Sequence, residues 1–320
     1  MVKIAIAGGS GNLGQEVIDG LVATGKHEIL LLSRKAWLQD VPSDTSPSGV
    51  KWIKADYQDP AQLKVVLKGV DTVLSFIVAH LDAGGVAQKH LIDACVAAGV
   101  RRFAPSEWFS SSFENFPWYE SKGTVREYLE TLNKYEKVLE YSLFHPGLFL
   151  DELVYPQRSS KYVIPLEFTI SFEKRRALIL EGSEDARISL TTVQDIVQVV
   201  TRAVDYEGVW PVVGGIRGNS ITIGQLIALG EKIRGPFKVE KLKAQDLKAG
   251  VVKSDWKLKI EHPAVGLENA EAWGEMVSRC MLLALQAGEV DCSDEWNQLL
   301  PDYKFTQAED FLVKWWNGKP

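Results

Sequence analysis

The sequence predicts an α/β fold, a doubly wound parallel sheet carrying a smaller α+β lobe. Three observations predict it. The chain opens on an apolar run, Val2-Lys3-Ile4-Ala5-Ile6-Ala7, that turns sharply through Gly8-Gly9-Ser10-Gly11-Asn12-Leu13-Gly14 into a helical pattern. Short, nearly continuous apolar runs follow, as strands covered on both faces require. These runs alternate with helical stretches over about 150 residues, and right-handed crossovers wind such an alternation into one parallel sheet.

The first helix places Val17, Ile18, Leu21 and Val22 on one face. Its glycine turn fits two registers, Gly9-x-Gly11-x-x-Gly14 and Gly8-x-x-Gly11-x-x-Gly14, and the second is preferred. In such a turn one glycine permits the bend, one lets backbone approach a pyrophosphate, and one lets helix pack close on strand. The helix N-terminus adds unpaired N–H groups and partial positive charge. A strand before the glycines and a helix after them is the context a dinucleotide site needs. Gly8, Ser10, Gly11, Asn12, Leu13 and Gly14 are the cofactor-binding candidates here.

Glu28-Ile29-Leu30-Leu31-Leu32-Ser33 is the second strand. An NAD site places an acid about 20 residues past the glycines, to accept from the ribose hydroxyls. Arg34 and Lys35 stand there instead, and two cations favour a 2′-phosphate. NADP(H) is the expected cofactor.

Residues 36–49 read as a loop rich in Pro, Ser, Asp and Gly. Val50–Ala55 is a third strand. Asp59 then caps a helix with Pro60 in its first turn. Asp71–Ile77 is the fourth strand, and a helix over Val86–Ala98 stops at Gly99. Arg101–Ser106 is the fifth strand and Tyr141–His145 the sixth. Ligands in such sheets sit beyond the carboxyl ends of the strands, so the segments ending at Gly8, Ser33, Phe76, Ser106 and His145 should converge on one crevice.

Residues 1–150 are thus expected to form the dinucleotide-binding (Rossmann) domain. Residues 151–320 form mainly the substrate lobe, interleaved with the first. There, Val163–Phe168, Ala177–Leu180 and Gly208–Val213 read as strands. Asp195–Val204, Ile223–Ile233 (capped by Thr222) and the aromatic-rich 305–316 read as helices.

The bulk composition narrows the partners. At 320 residues the chain can bury a large core, and 46% hydrophobic with 24% charged residues is ordinary for a globular protein. A net charge of −6 argues against a nucleic-acid footprint. The three cysteines have no metal-ligand spacing, which suits reduced thiols and no metal site. No apolar run is long enough to span a bilayer. The expectation is a cytoplasmic monomer or homodimer with a small-molecule substrate.

Chemistry concentrates in Pro105-Ser106-Glu107-Trp108 and in Trp118-Tyr119-Glu120-Ser121-Lys122-Gly123-Thr124-Val125-Arg126. Lys122 and Arg126 are four apart on one helix face. Ordinary short-chain dehydrogenases use Tyr-x-x-x-Lys, with the lysine lowering the tyrosine's pKa. Here Trp118 occupies the tyrosine's place and Tyr119 is only three before Lys122. The tyrosine-acid mechanism is therefore not expected. His145 is expected to be structural, and Glu107 with Asp151 or Glu152 to be solvated carboxylates rather than a working pair.

Taken in order, the glycine turn, Ser33-Arg34-Lys35, Phe103–Trp108, Lys122 with Val125-Arg126, and His145-Pro146-Gly147-x-Phe149 resemble the NmrA-like and isoflavone-reductase-like atypical short-chain dehydrogenases. The resemblance implies that Lys122 is catalytic or orients the cofactor through the nicotinamide ribose. It also implies nicotinamide contacts from Pro146, Gly147 and Phe149, while Phe76 is placed to pack on the cofactor. The expected activity is NADPH-dependent reduction of a carbonyl, activated alkene or imine on a small aromatic or polycyclic substrate of the secondary-metabolite kind. Two alternatives stand beside it: a redox sensor that binds NADP(H) without turnover, whose members tend to lack the lysine, and a non-redox isomerase or cyclase on the same fold.

Overall fold

The computed structural model describes residues 1–34, 49–262 and 265–319. Its first half runs β1 (Lys3–Ala7), α1 (Asn12–Ala23), β2 (Glu28–Ser33), β3 (Val50–Lys54), α2 (Pro60–Val66), β4 (Thr72–Ser75), α3 (Val86–Ala98), β5 (Arg102–Ala104), α4 (Glu120–Leu132) and β6 (Glu140–Tyr141). The strands pair in the order β3-β2-β1-β4-β5-β6, every neighbour parallel. The order reverses between β1 and β4, which makes a crevice at their carboxyl ends, as doubly wound sheets do.

Alternation along β1 explains how both faces are covered. Ile4 and Ile6 join a core with Leu31 and Leu74 on one side, while Ala5 and Ala7 join Leu30, Leu32, Leu91 and Leu129 on the other. The anticipated end signals operate. The Asp59 side chain accepts from Gln62 N at 3.0 Å, and Gly99 ends α3 in the left-handed conformation.

The second half runs β7 (Leu143–His145), β8 (Leu148–Phe149), β9 (Ile170–Ser171), β10 (Arg176–Leu180), β11 (Arg187–Thr191), α5 (Val193–Asp205), β12 (Val213–Gly215), β13 (Asn219–Thr222), α6 (Ile223–Arg234), β14 (Lys238–Leu242), α7 (Ala244–Lys248), α8 (Ala270–Gln286), α9 (Glu295–Leu299) and α10 (Ala308–Trp316). Packing crosses the middle of the chain. β12 pairs in parallel with β7, and Ile196, Val197, Val200, Trp210 and Trp296 join the core on the Ile4 face of the sheet. A separate cluster around Leu150, Phe168, Phe172, Ile188 and Leu312 forms the lobe's own core.

Three strand expectations are corrected. The anticipated sixth strand divides at Ser142: its N–H still bonds Phe103 O, whereas Leu143 N bonds Val212 O. Residues 163–168 are irregular. Their backbone donors go to carboxylates instead of a ladder, Val163 N to Glu16 and Leu166 N to Glu152. Of 208–213, only Val213 is in a strand. Side chains claim the preceding backbone, Arg102 taking the Tyr206 and Gly208 carbonyls and Glu140 taking Trp210 N.

Cys95, Cys280 and Cys292 are free and buried. Among the described residues, no helix is long and apolar enough to cross a membrane.

Candidate active site

Each glycine of the first turn has a separate geometric reason. Gly8 has φ +71°, and a Cβ there would lie 2.6 Å from the backbone of Phe76. At Gly14 a Cβ would lie 2.8 Å from Gly9 Cα, which sets the close approach of α1. Gly11 differs: a Cβ would meet only Gly8 O, at 3.3 Å. Gly11 is the N-cap of α1 and offers no side-chain cap, and the first turn carries no acid. An uncapped helix start without an acid in its first turn suits an anionic group. These roles fit the Gly8-x-x-Gly11-x-x-Gly14 register. Gly9 has a need not anticipated from sequence, since a Cβ would lie 2.3 Å from Leu31 Cδ1.

Around the turn, Ser10 is exposed and its carbonyl accepts from Gln15 at 2.9 Å. Leu13 packs against the core on the Ile4 face. The Asn12 side-chain nitrogen lies 3.3 Å from His262 Nε2, so the lobe reaches the glycine turn. Arg34 is exposed just past β2. Its charge acts on the buried Tyr57 hydroxyl, whose pKa burial raises and whose O–H donates to Leu32 O at 3.3 Å. Lys35 lies outside the described residues.

From the turn, an aromatic column leads into the core on the Ile4 face. Phe76 stacks on Trp108 at 4.5 Å, Trp108 on Phe144 at 5.3 Å, and Phe144 on Trp296 at 5.4 Å. Trp108 holds φ +47°, a left-handed conformation costing a bulky residue about 1–2 kcal/mol. Burial within the stack and an Nε1 bond to Ser75 O at 2.7 Å offset that cost. Phe76 therefore has one ring face committed to Trp108.

The strained residue adjoins the chemistry. Glu107 and Lys122 are 1% and 5% exposed, so Lys122 is not a solvated helix lysine paired with Glu120 or Glu127. Lys122 Nζ donates to Glu107 O at 2.5 Å and sits 3.9 Å from the Tyr119 ring centroid and 5.0 Å from that of Phe113. Burial pushes its pKa down to about 8; Glu107 pulls it up and Arg126 pushes it down. The ammonium thus lies over the face of Tyr119, in keeping with the altered Tyr–Lys spacing.

Below Lys122 is a buried brace. Arg126 grips the Glu107 carboxylate with Nε at 3.0 Å and Nη2 at 2.6 Å. Nη2 is also 3.0 Å from His145 Nε2, which is itself 3.5 Å from Glu107 Oε2. Burial pushes the Glu107 pKa up, but His145 and Arg126 outweigh it and hold it at about 2. Burial lowers the His145 pKa, and its Nδ1 has no hydrogen-bond partner among the described residues. His145 belongs to this brace.

The expectation of solvated carboxylates is corrected. Glu107 is sealed in the brace, and the 2% exposed Asp151 accepts from Ser159 and from Val193 N at the start of α5. Glu152 is half-buried and accepts from Leu166 N. Burial pushes its pKa up to about 8; the Leu166 bond opposes this and Asp151 adds to it.

In the turn after β7, Pro146 O accepts from Thr191 at 2.7 Å. Gly147 has φ +72°, and a Cβ would strike Ser189 O at 2.3 Å, so packing against β11 already requires glycine there. Phe149 is half-buried against the core on the Ile4 face. Trp118 meets Trp273 of α8 edge-on at 5.8 Å, which joins α4's entry to the lobe.

Comparison with known proteins gives this geometry a family. The model of the NmrA-like family matches residues 2–312. The oxidoreductase swnN of Metarhizium robertsii is 25% identical, with 100% of this chain and 98% of the relative covered. The solved NADPH-dependent quinone oxidoreductase QOR2 of Escherichia coli, complexed with NADPH, superposes with a TM-score of 0.69 at 19% identity, covering 98% of this chain and 100% of that one. AtPrR2 with NADP+ and (+)pinoresinol superposes with a TM-score of 0.66 at 16% identity, covering 98% of each chain.

Proposed function

We propose that this chain, which belongs to the NmrA-like family, is an NADPH-dependent reductase of a small aromatic or polycyclic substrate, acting on a carbonyl, activated alkene or imine. One observation carries the reading. The uncapped start of α1 and the buried Lys122 lie on one continuous path of contacts, from Gly8 through Phe76 and Trp108 to Glu107.

The N–H groups of Asn12, Leu13 and Gly14 hold the pyrophosphate, and Arg34 with Lys35 holds the 2′-phosphate. Pro146 and Phe149 border the nicotinamide end. NADPH, when bound, supplies the hydride. Lys122 orients the ribose and places positive charge where the substrate gains negative charge, in a site with little water to screen it. The Glu107–Arg126–His145 brace holds the backbone carbonyl that anchors Lys122.

The aromatic cluster of Phe113, Trp118, Tyr119 and Trp273 beside Lys122 supports a flat, aromatic substrate. The relatives support the class: swnN is named an oxidoreductase, and AtPrR2 was solved with (+)pinoresinol. The test is titration with NADPH and NADH, followed by NADPH oxidation with acetophenone, chalcone, an aromatic imine and menadione. Tight NADPH binding with turnover of at least one is expected. Binding with no oxidation by any of them contradicts the proposal.

A further inference from the structure

Lys122 faces two aromatic rings as well as a carbonyl. Its ammonium carries three donors, and the Glu107 carbonyl accepts one at 2.5 Å. Nζ lies 3.9 Å from the ring centroid of Tyr119 and 5.0 Å from that of Phe113, both within reach of a cation–π contact. Arg126 lies over the same Phe113 ring, its Cζ 4.3 Å from the centroid. The two rings meet edge to face at 5.4 Å and form one wall beside both cations.

We propose that Tyr119 and Phe113 are positioning residues for Lys122, their ring faces holding its ammonium charged and in place for the reaction. The inference rests on the reductase reading. Tyr119 stands immediately before α4 and three residues ahead of Lys122, a spacing that puts both on one side of the helix start. It sets the ammonium over the face of the ring. Phe113 arrives from the irregular connection between β5 and α4, which the lobe pins in place. Ser110 Oγ donates to Glu289 O at 2.6 Å, and Asn115 Nδ2 donates to the buried Glu289 carboxylate at 2.5 Å. Arg126 Nη1 donates to Ser111 O at 2.8 Å in the same connection.

Burial disfavours the ammonium and lowers its pKa. An aromatic face acts the other way, because its negative quadrupole favours the charged form. The charged groups around Lys122 are Glu107, which favours the ammonium, and Arg126 on its own helix, which disfavours it. His145, at the end of β7, senses the lysine's charge in turn. Burial raises the Tyr119 pKa, and Glu107 and Glu152 add to that, so the ring stays a neutral phenol while Lys122 titrates. Lys122 loses its charge as pH rises through its pKa. A variant that removes a ring face therefore loses the charge at lower pH.

The test is the titration of Lys122 in the free protein, read by carbon NMR of lysine labelled at Cε and assigned by the signal missing from Lys122→Met. Tyr119→Leu should lower the Lys122 pKa by about 1, and Tyr119→Phe, which keeps the ring face, should leave it near the wild-type value. Phe113→Leu should lower it by less, its ring being farther away, and carries the test if Tyr119→Leu does not fold. With the probe that wild type reduces fastest among acetophenone, chalcone and menadione, Y119L should lose about 10-fold in kcat at pH about 8, with its alkaline fall moved down by the same amount as the lysine. Y119F should keep both. A Lys122 pKa that stays within about 0.3 of wild type in the leucine variants overturns the role, as does a Y119F that loses as much as Y119L. A wild type that fails to bind NADPH overturns the reductase reading, while the lysine titration still decides what the rings do.

Discussion

Lys122 Nζ donates to the carbonyl oxygen of Glu107, and the Glu107 carboxylate is held in turn by Arg126 from the next turn of the lysine's own helix. Position 107 therefore anchors both cations, one by its backbone and one by its side chain. Lys122→Met fills the same aromatic box without a charge. It should lower kcat by about 10²-fold or more. The midpoint of thermal unfolding should not fall, because a buried charge has been removed. Equal losses of stability and activity would show that Lys122 serves only the fold.

Gly8 and Gly11 should respond differently to the same added methyl. Gly8→Ala meets the Phe76 backbone and adopts a left-handed φ, so it should destabilise the fold by about 1–3 kcal/mol. Gly11→Ala meets only Gly8 O, at 3.3 Å and with an ordinary φ, so it should cost the fold less than Gly8→Ala while weakening NADPH binding. Denaturant midpoints and NADPH titrations of both variants check the contrast.

Arg34 stands exposed past β2. Arg34→Ala should weaken NADPH binding by about 10- to 100-fold, the worth of a charged hydrogen bond, and leave NADH nearly unaffected. An unchanged preference between the two would remove Arg34 from the phosphate site.

The brace predicts acid sensitivity. Glu107 is held at about 2 in the folded chain against an ordinary 4.5, so the unfolded chain binds the extra proton between those values. Its contribution is complete above pH 4.5 and is lost as pH falls towards 2. Arg126→Ala strands a buried carboxylate and should cost about 3–5 kcal/mol at neutral pH. Unfolding free energies of wild type and R126A across the acid range check both statements; parallel curves would contradict the coupling.

The parts readable from sequence are those with local causes. The glycine turn, the Asp59 cap and the Gly99 stop each depend on residues within a few positions, and β1, α2 and α3 form around them. The Lys122–Arg126 face was visible in their spacing. What those cations hold was not, because Glu107 and His145 arrive from different strand ends. Glu152 was read as a solvated carboxylate because the Leu166 N–H it accepts from lies in a separate, irregular segment. α8 escaped notice although it is long, because its close packing is set by the meeting of Gly274 with the Leu258 carbonyl.

The most direct test of the central claim is transfer of label from NADPH carrying deuterium on both C4 positions, with products analysed by mass spectrometry. The account predicts one deuterium on the reduced carbon of the product for wild type, and a rate lowered together with kcat in Lys122→Met. A protein that converts substrate while bound to NADPH, yet leaves every product unlabelled, would contradict it.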